Sequence, residues 1–324
     1  MAPITYLEAI RQALIEEMDR DERVFLLGED IGAYGGAFKV SAGLQERFGA
    51  ERVMDTPITE AGIIGAAVGA ALAGMRPVAE MQFMDFVACG FNQLVNFAAK
   101  CRYRWGADVP MVVRGPAGGG VRAGPFHSQC MEAFFFHVPG LKIVQPATAY
   151  DAKGLLKSAI RDQDPVLYLE HKFLYRRIKE EIPDGDYVVP LGVSATRREG
   201  SDLAIITYGA MVHTALEAAR VLEREGVGTE VLDLRTLLPF DEEAVLAAAA
   251  KTGRVILLHE DTRTGGIGAE LSARISESAF EYLDAPLIRV TALDAPVPYA
   301  AALEDAFMPN ADKVLEAARR LLAY

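Results

Sequence analysis

The chain has 324 residues, of which 51% are hydrophobic, and a formal net charge of −12. That length and apolar content can bury a large core split between about two domains, while the acidic balance, with no stripe of Lys and Arg to override it, excludes nucleic acid as a partner. Cys89, Cys101 and Cys130 show no C-x-x-C spacing, which excludes a disulfide framework and a zinc site and points to a reducing compartment.

From Met1 to Met18 charge is spread throughout and no basic stretch precedes an apolar core, so the segment does not read as a secretory signal. Thr5 and Glu8 instead form the pattern of a capping box opening an amphipathic helix. Val24 to Leu27 reads as a strand. Asp55-Thr-Pro-Ile-Thr-Glu60 then leads into a helix of small residues, Gly62 to Ala73, on which another helix could pack closely. Glu60 sits at the positive end of that helix and by itself reads as a helix-start carboxylate. The apolar run Ala61 to Gly74 falls short of the roughly 20 residues needed to cross a bilayer, so no membrane contact is expected and a cytoplasmic protein is.

Pro77 to Met81 reads as a strand running into Gln82, Phe83 and Phe86, polar and aromatic residues at the end where parallel sheets bind ligands. Asn92 to Tyr103 has helical periodicity. Met111 to Arg114 is a strand, and Gly115 to Gly120 has the wrong spacing for a dinucleotide fingerprint and reads as a flexible loop. Directly after it comes Phe126-His-Ser-Gln-Cys130. A histidine beside Ser and Gln on a loop suits proton transfer near neutral pH, although an isolated loop histidine is commonly a bystander. His137, His171, His213 and His259 lack metal-ligand spacing and read as structural. Leu141 to Val144 and Val166 to Leu169 are strands flanking a helix from Ala149 to Ile160.

The polar stretch Lys179 to Gly200, with its Pro-Asp-Gly turn, marks a domain boundary. A second alternating block follows. Its strands are Leu203 to Thr207, Thr229 to Asp233, Val255 to His259 and Leu287 to Val290, and its helices Val212 to Glu225, Asp241 to Ala250, Ile267 to Ala279 and Ala311 to Ala323. Gly265-Gly-Ile-Gly268 opens a helix but has Leu271 where a third glycine belongs, which favours tight helix–sheet packing over phosphate binding. The pattern throughout is α/β, two doubly wound open-sheet domains over 1–185 and 186–324, with the linker starting near 179.

Taken in order, Leu27-Gly-Glu-Asp30, Asp55-Thr-Pro-Ile-Thr-Glu60, Gln93-Leu-Val-Asn96, His127-Ser-Gln129, Pro139-Gly-Leu-Lys-Ile-Val144 and Asp233-Leu-Arg-Thr236 resemble the β subunit of the E1 component of 2-oxo acid dehydrogenases. That family lies in the transketolase-like thiamin-diphosphate superfamily, and the likeness spans essentially the whole chain. It implies a pyrimidine-binding domain followed by a transketolase C-terminal-like domain. It implies that Glu60 is the carboxylate bonded to the aminopyrimidine N1′, favouring the imino tautomer that can take the thiazolium C2 proton. Glu29, Ile58, Thr59, Gln82 and Phe86 would line the cofactor pocket. Gln82, Phe83, Phe86 and His127 would meet the 2-oxo acid, with His127 assisting acyl transfer to a lipoyl group.

The superfamily's magnesium motif, G-D-G followed by N-N, is not completed here, since Asp184-Gly-Asp186 has no Asn-Asn behind it. The resemblance therefore implies an E1 α subunit that holds Mg2+ and the diphosphate in an α2β2 heterotetramer, docked on an E2 lipoyl acyltransferase core. It extends to a potassium site at Val112, Ala159, Asp162 and Asp164, with Asp164 departing from the expected asparagine. Glu132-Ala-Phe-Phe135 and Lys172-Phe-Leu-Tyr-Arg176 look more like the branched-chain enzymes than the pyruvate enzymes, which stand second. A non-catalytic assembly subunit is the alternative of a different class, and the retention of Glu60, Phe86 and His127 together counts against it.

Overall fold

A computed structural model describes residues 3–324; Met1 and Ala2, which open the stretch read as lacking a secretory signal, lie outside the described residues. The described residues form two compact units, one of residues 3–117 and 134–191, the other of residues 118–133 and 192–324. The expected boundary at 185/186 kept residues 118–133 in the first domain, whereas their contacts place them in the second unit. Chain order could not reveal this, because the segment leaves and re-enters the first unit between two of its elements.

In the first unit the strands run in the order Lys142–Val144, Val166–His171, Val112–Ala117, Arg76–Glu80, Val24–Gly28 and Val53–Asp55, every neighbouring pair parallel. Four of them are buried along their whole length or nearly so, which is why they read as continuous apolar runs rather than alternating ones. Helix Tyr6–Arg20 starts on the expected capping box, Thr5 accepting the Glu8 N–H at 3.1 Å while Glu8 accepts the Thr5 N–H at 2.7 Å. It packs on helix Ala149–Arg161, where Glu16 binds Lys153 and Lys157 and Glu17 binds Arg161.

The expected continuous helix from Asn92 is instead a wide turn at Gln93–Phe97, a tight one at Ala98–Lys100, and a short helix at Cys101–Trp105. The break coincides with a close approach of backbones: a Cβ on Gly140 would lie 1.9 Å from the Ala99 carbonyl oxygen.

The second unit holds a five-stranded sheet in the order Ile288–Ala292, Val255–Thr262, Leu203–Thr207, Thr229–Asp233 and Ala195–Arg198. All are parallel except the last, an edge strand hidden from sequence reading because its residues, Ala-Thr-Arg-Arg, are polar. Arg197 faces inward to the buried Asp233 carboxylate at 2.8 Å, which explains how an arginine tolerates that position. Helices Met211–Arg224, Glu242–Thr252, Ile267–Ser278 and Ala311–Leu322 complete the winding. Helix Ile267–Ser278 starts on the expected glycines, and Cβ atoms on Gly266 and Gly268 would stand 2.5 and 2.8 Å from the buried His259 ring. Among the described residues no helix is long and apolar enough to cross a membrane.

Candidate functional site

Three adjacent parallel strands of the first unit deliver most of the expected residues at their C-terminal ends, where an open α/β sheet binds ligands. Strand Val24–Gly28 ends at Glu29 and Asp30, strand Val53–Asp55 leads through Ile58 and Thr59 to Glu60, and strand Arg76–Glu80 leads to Gln82, Phe83 and Phe86. Glu60 opens helix Glu60–Leu72 and is half-buried; Ile58 is 83% exposed.

Glu29 is 6% exposed, and burial, followed by the charges of Glu60 and Asp30, raises its pKa, opposed by the Thr59 N–H that its carboxylate accepts. Its Oε1 has no hydrogen-bond partner. Asp30 takes a positive φ of 57° and accepts the Gln82 amide at 3.2 Å. Phe83 and Phe86 meet edge to face with centroids 6.2 Å apart, and Phe83 meets Phe38 in the same way at 5.5 Å. Glu29, Thr59 and Glu60 are thus brought together, with Gln82 tied in through Asp30.

Beneath this rim lies a charged network that sequence reading missed. Arg114 is fully buried and holds Glu170 through two bonds and Glu80 through a third, and the Tyr175 hydroxyl donates to Glu170 Oε2 at 2.7 Å. Burial raises the Glu80 pKa, partly offset by Arg114. Residues 34 to 90 positions apart leave no local pattern, so only the sheet registers, Glu80 against Arg114 and Pro116 against Glu170, bring them together.

His127 belongs to the other unit. It is half-buried on the loop that Gly118 closes by donating to the Gln129 carbonyl at 3.2 Å, and its own N–H donates to the Gly124 carbonyl at 3.3 Å. The loop is no free tether: Gly119 donates to Glu260 Oε1 at 2.5 Å, and Gly120 to Glu304 Oε1 at 2.8 Å. Glu132, 1% exposed at the end of the loop, accepts the Tyr208 hydroxyl at 3.0 Å. Burial, then the charge of Asp261, pushes its pKa up to about 8, and Asp261 itself is held up to about 6 by burial.

Asp162 and Asp164, expected at a potassium ion, pair with side-chain cations. Lys142 Nζ lies 2.7 Å from both Asp162 oxygens and 3.3 Å from Asp164, which also pairs with Arg102. The Asp162 and Ile160 carbonyls accept Arg76 at 3.0 and 2.8 Å. Ala159 is buried in helix Ala149–Arg161, its carbonyl accepting the Asp162 N–H, and Val112 lies within the sheet. Asp186, of the incomplete magnesium motif, pairs with Arg161 at 2.8 Å and Lys157 at 2.5 Å, and these bonds, Arg161 first, lower its pKa to about 2. No group of three or more His, Cys, Asp or Glu able to hold a metal occurs among the described residues.

Two successive open α/β sheets, the first with carboxylates gathered at its strand ends, define a transketolase-type subunit. Residues 2–177 match the family model of the transketolase pyrimidine-binding domain and residues 192–314 that of the transketolase C-terminal domain. The chain is 55% identical over 326 aligned positions to the 2-oxoisovalerate dehydrogenase subunit beta of Bacillus subtilis, covering 100% of this chain and 99% of the relative. It is 46% identical to the pyruvate dehydrogenase E1 component subunit beta of the same organism, covering 100% of both. A solved split-gene transketolase, an inactive β4 tetramer, superposes with a TM-score of 0.79 at 25% identity, covering 99% of this chain and 98% of that one. The chain belongs to the family of E1 β subunits of the 2-oxo acid dehydrogenases.

Proposed function

We propose that this chain is the β half of a thiamin-diphosphate-dependent dehydrogenase that decarboxylates branched-chain 2-oxo acids and hands the acyl unit to a lipoyl group of an E2 core. It works in an α2β2 heterotetramer whose α subunit holds Mg2+ and the diphosphate. The observation that carries the reading is the pairing of Glu60, at a helix start, with a buried Glu29 whose Oε1 lacks a partner. A buried carboxylate oxygen without a donor marks a place where a ligand's polar edge can enter. The aromatic pair Phe83 and Phe86, just past the end of the neighbouring strand, adds apolar surface, so these residues fit a flat heteroaromatic ring.

When bound, thiamin diphosphate would supply the electron sink for loss of carbon dioxide. Glu60 would hold the proton shared with the pyrimidine N1′, and Glu29, bonded to the Thr59 N–H, would fix the approach to the helix start. Gln82, oriented by Asp30, would present its carboxamide to cofactor and substrate. Phe83 and Phe86 would keep water from the ring, and His127 would align the substrate and the incoming lipoyl group. Branched-chain specificity rests on the higher identity to the 2-oxoisovalerate enzyme subunit than to the pyruvate one.

The test is a panel of 2-oxo acids assayed with the chain co-produced with an E1 α subunit. 2-Oxoisovalerate should be preferred over pyruvate, and Glu60→Gln should abolish decarboxylation while the tetramer still assembles. A pyruvate preference would move the assignment to the pyruvate enzymes. Single-turnover decarboxylation near the wild-type rate in Glu60→Gln would remove the catalytic reading and leave an assembly subunit.

A further inference from the structure

Residues 118, 120, 122 and 124 alternate in the left-handed region, with φ of 78°, 78°, 63° and 71°. Three of the four are glycine, which takes that conformation freely; Arg122 does so against the clash of its Cβ with the following carbonyl. A backbone that alternates in this way turns successive N–H groups toward one side and forms an anion-binding concavity. Here the anions belong to the same unit. Glu304, fully buried, accepts the Gly120 N–H at 2.8 Å, the Arg122 N–H at 3.1 Å and Arg122 Nη1 at 2.8 Å. Glu260 Oε1 accepts the Gly119 N–H at 2.5 Å and the Cys130 thiol at 3.7 Å, so a single carboxylate ties both ends of the loop. Gly124 seats against Tyr299, where a Cβ would come within 2.2 Å of the ring.

From this geometry we infer that Glu304 and Glu260 are positioning residues: their carboxylates fill the glycine-rich concavity and thereby hold His127 in place for acyl transfer. The inference rests on the role proposed above for His127 and adds the machinery that fixes it. A ten-residue loop rich in glycine would otherwise lose a large conformational entropy on ordering, and hydrogen bonds to a buried charge are among the few contacts strong enough to offset it. It also explains the glycines: Gly119 carries a negative φ and yet leaves only 3.3 Å between a Cβ and Glu304 Oε1 and 3.5 Å to Glu260 Oε1.

The test uses the enzyme co-assembled with its α subunit and two reactions, decarboxylation read with an artificial electron acceptor and acylation of a free lipoyl domain. Glu304→Gln should slow lipoyl acylation between about tenfold and a hundredfold while decarboxylation changes much less, since a small misplacement of a catalytic group has effects of that size. Combined with His127→Ala it should add little beyond the worse single variant, because both act through one side chain. Trypsin should cut after Arg122 faster in Glu304→Gln than in wild type, a local readout that a merely structural role elsewhere would not move. Gly120→Ala attacks the same anchor from the loop side and should repeat the pattern if Glu304→Gln fails to fold. Equal loss of both reactions with unchanged cleavage, or additivity with His127→Ala, overturns the inference. If His127→Ala leaves lipoyl acylation intact, the proposed role of His127 falls instead, and the cleavage rates still decide whether the carboxylates anchor the loop.

Discussion

Glu132→Gln should make this chain more stable at neutral and alkaline pH, an unusual outcome for a change at a buried position. In the folded chain the Glu132 carboxyl has its pKa pushed from an ordinary 4.5 to about 8, chiefly by burial and then by Asp261. Between those two values the unfolded chain has released the proton and the folded one has kept it. Stability from this group is therefore fully present below about pH 4.5 and drains as pH rises, by roughly 1.4 kcal/mol per pH unit, until the folded form also titrates near pH 8. At pH 7 the accumulated loss is roughly 3 kcal/mol, and at pH 8 it approaches roughly 5 kcal/mol. Glutamine is a neutral isostere of the protonated acid and can still accept the Tyr208 hydroxyl now 3.0 Å from Oε1. Glu132→Gln should match wild type near pH 5 and exceed it by roughly 3 kcal/mol at pH 7. Asp261, held up to about 6 by burial, titrates in both proteins, and loss of the neighbouring Glu132 charge eases its ionisation, which acts in the same direction. Urea unfolding followed by far-ultraviolet circular dichroism at pH 5, 7 and 8 measures the difference. Stability curves of equal pH slope for the two proteins would refute the reasoning.

Replacing Arg114 by methionine strands Glu80 and Glu170 inside the first unit without a counter-charge, and should cost roughly 3–5 kcal/mol of unfolding free energy in urea titration; a loss below about 1 kcal/mol would show that the network holds a proton instead. Gly140→Ala places a Cβ 1.9 Å from the Ala99 carbonyl oxygen at a φ of 98°, and should cost roughly 2–4 kcal/mol. Gly43→Ala, at a left-handed φ of 83° and ψ of −8° with nothing within 4 Å, bears only the conformational cost of about 1 kcal/mol, so equal melting temperatures for the two variants would remove the steric argument.

Much of the architecture was legible because its signals are local. The strands Leu203–Thr207 and Thr229–Asp233 lie where the apolar runs between turn residues placed them, the Thr5–Glu8 capping box needs only four consecutive residues, and the Gly265–Gly268 run opens a helix packed closely on His259. Gln82, Phe83 and Phe86 were candidates because they follow an apolar strand at the end where a parallel sheet binds ligands, whereas Glu29 and Glu60 stood out only through the resemblance to the E1 β subunits. The edge strand Ala195–Arg198 was hidden by its polar side chains, and the break near Gln93 by a contact with Gly140 more than 40 residues away.

By itself, then, the order of residues determined the two successive α/β blocks, most helix and strand positions, and the aromatics that follow strand Arg76–Glu80, since each depends on neighbours a few positions apart. Tertiary structure alone decided that residues 118–133 leave the first unit for the second, that Arg114 joins Glu80 to Glu170, and that Glu260 and Glu304 occupy the glycine-rich loop. Those pairings span between 34 and 184 positions. A buried charge selects its partner by distance in the folded core, where an unmet charge is costly, and no spacing along the chain encodes that choice.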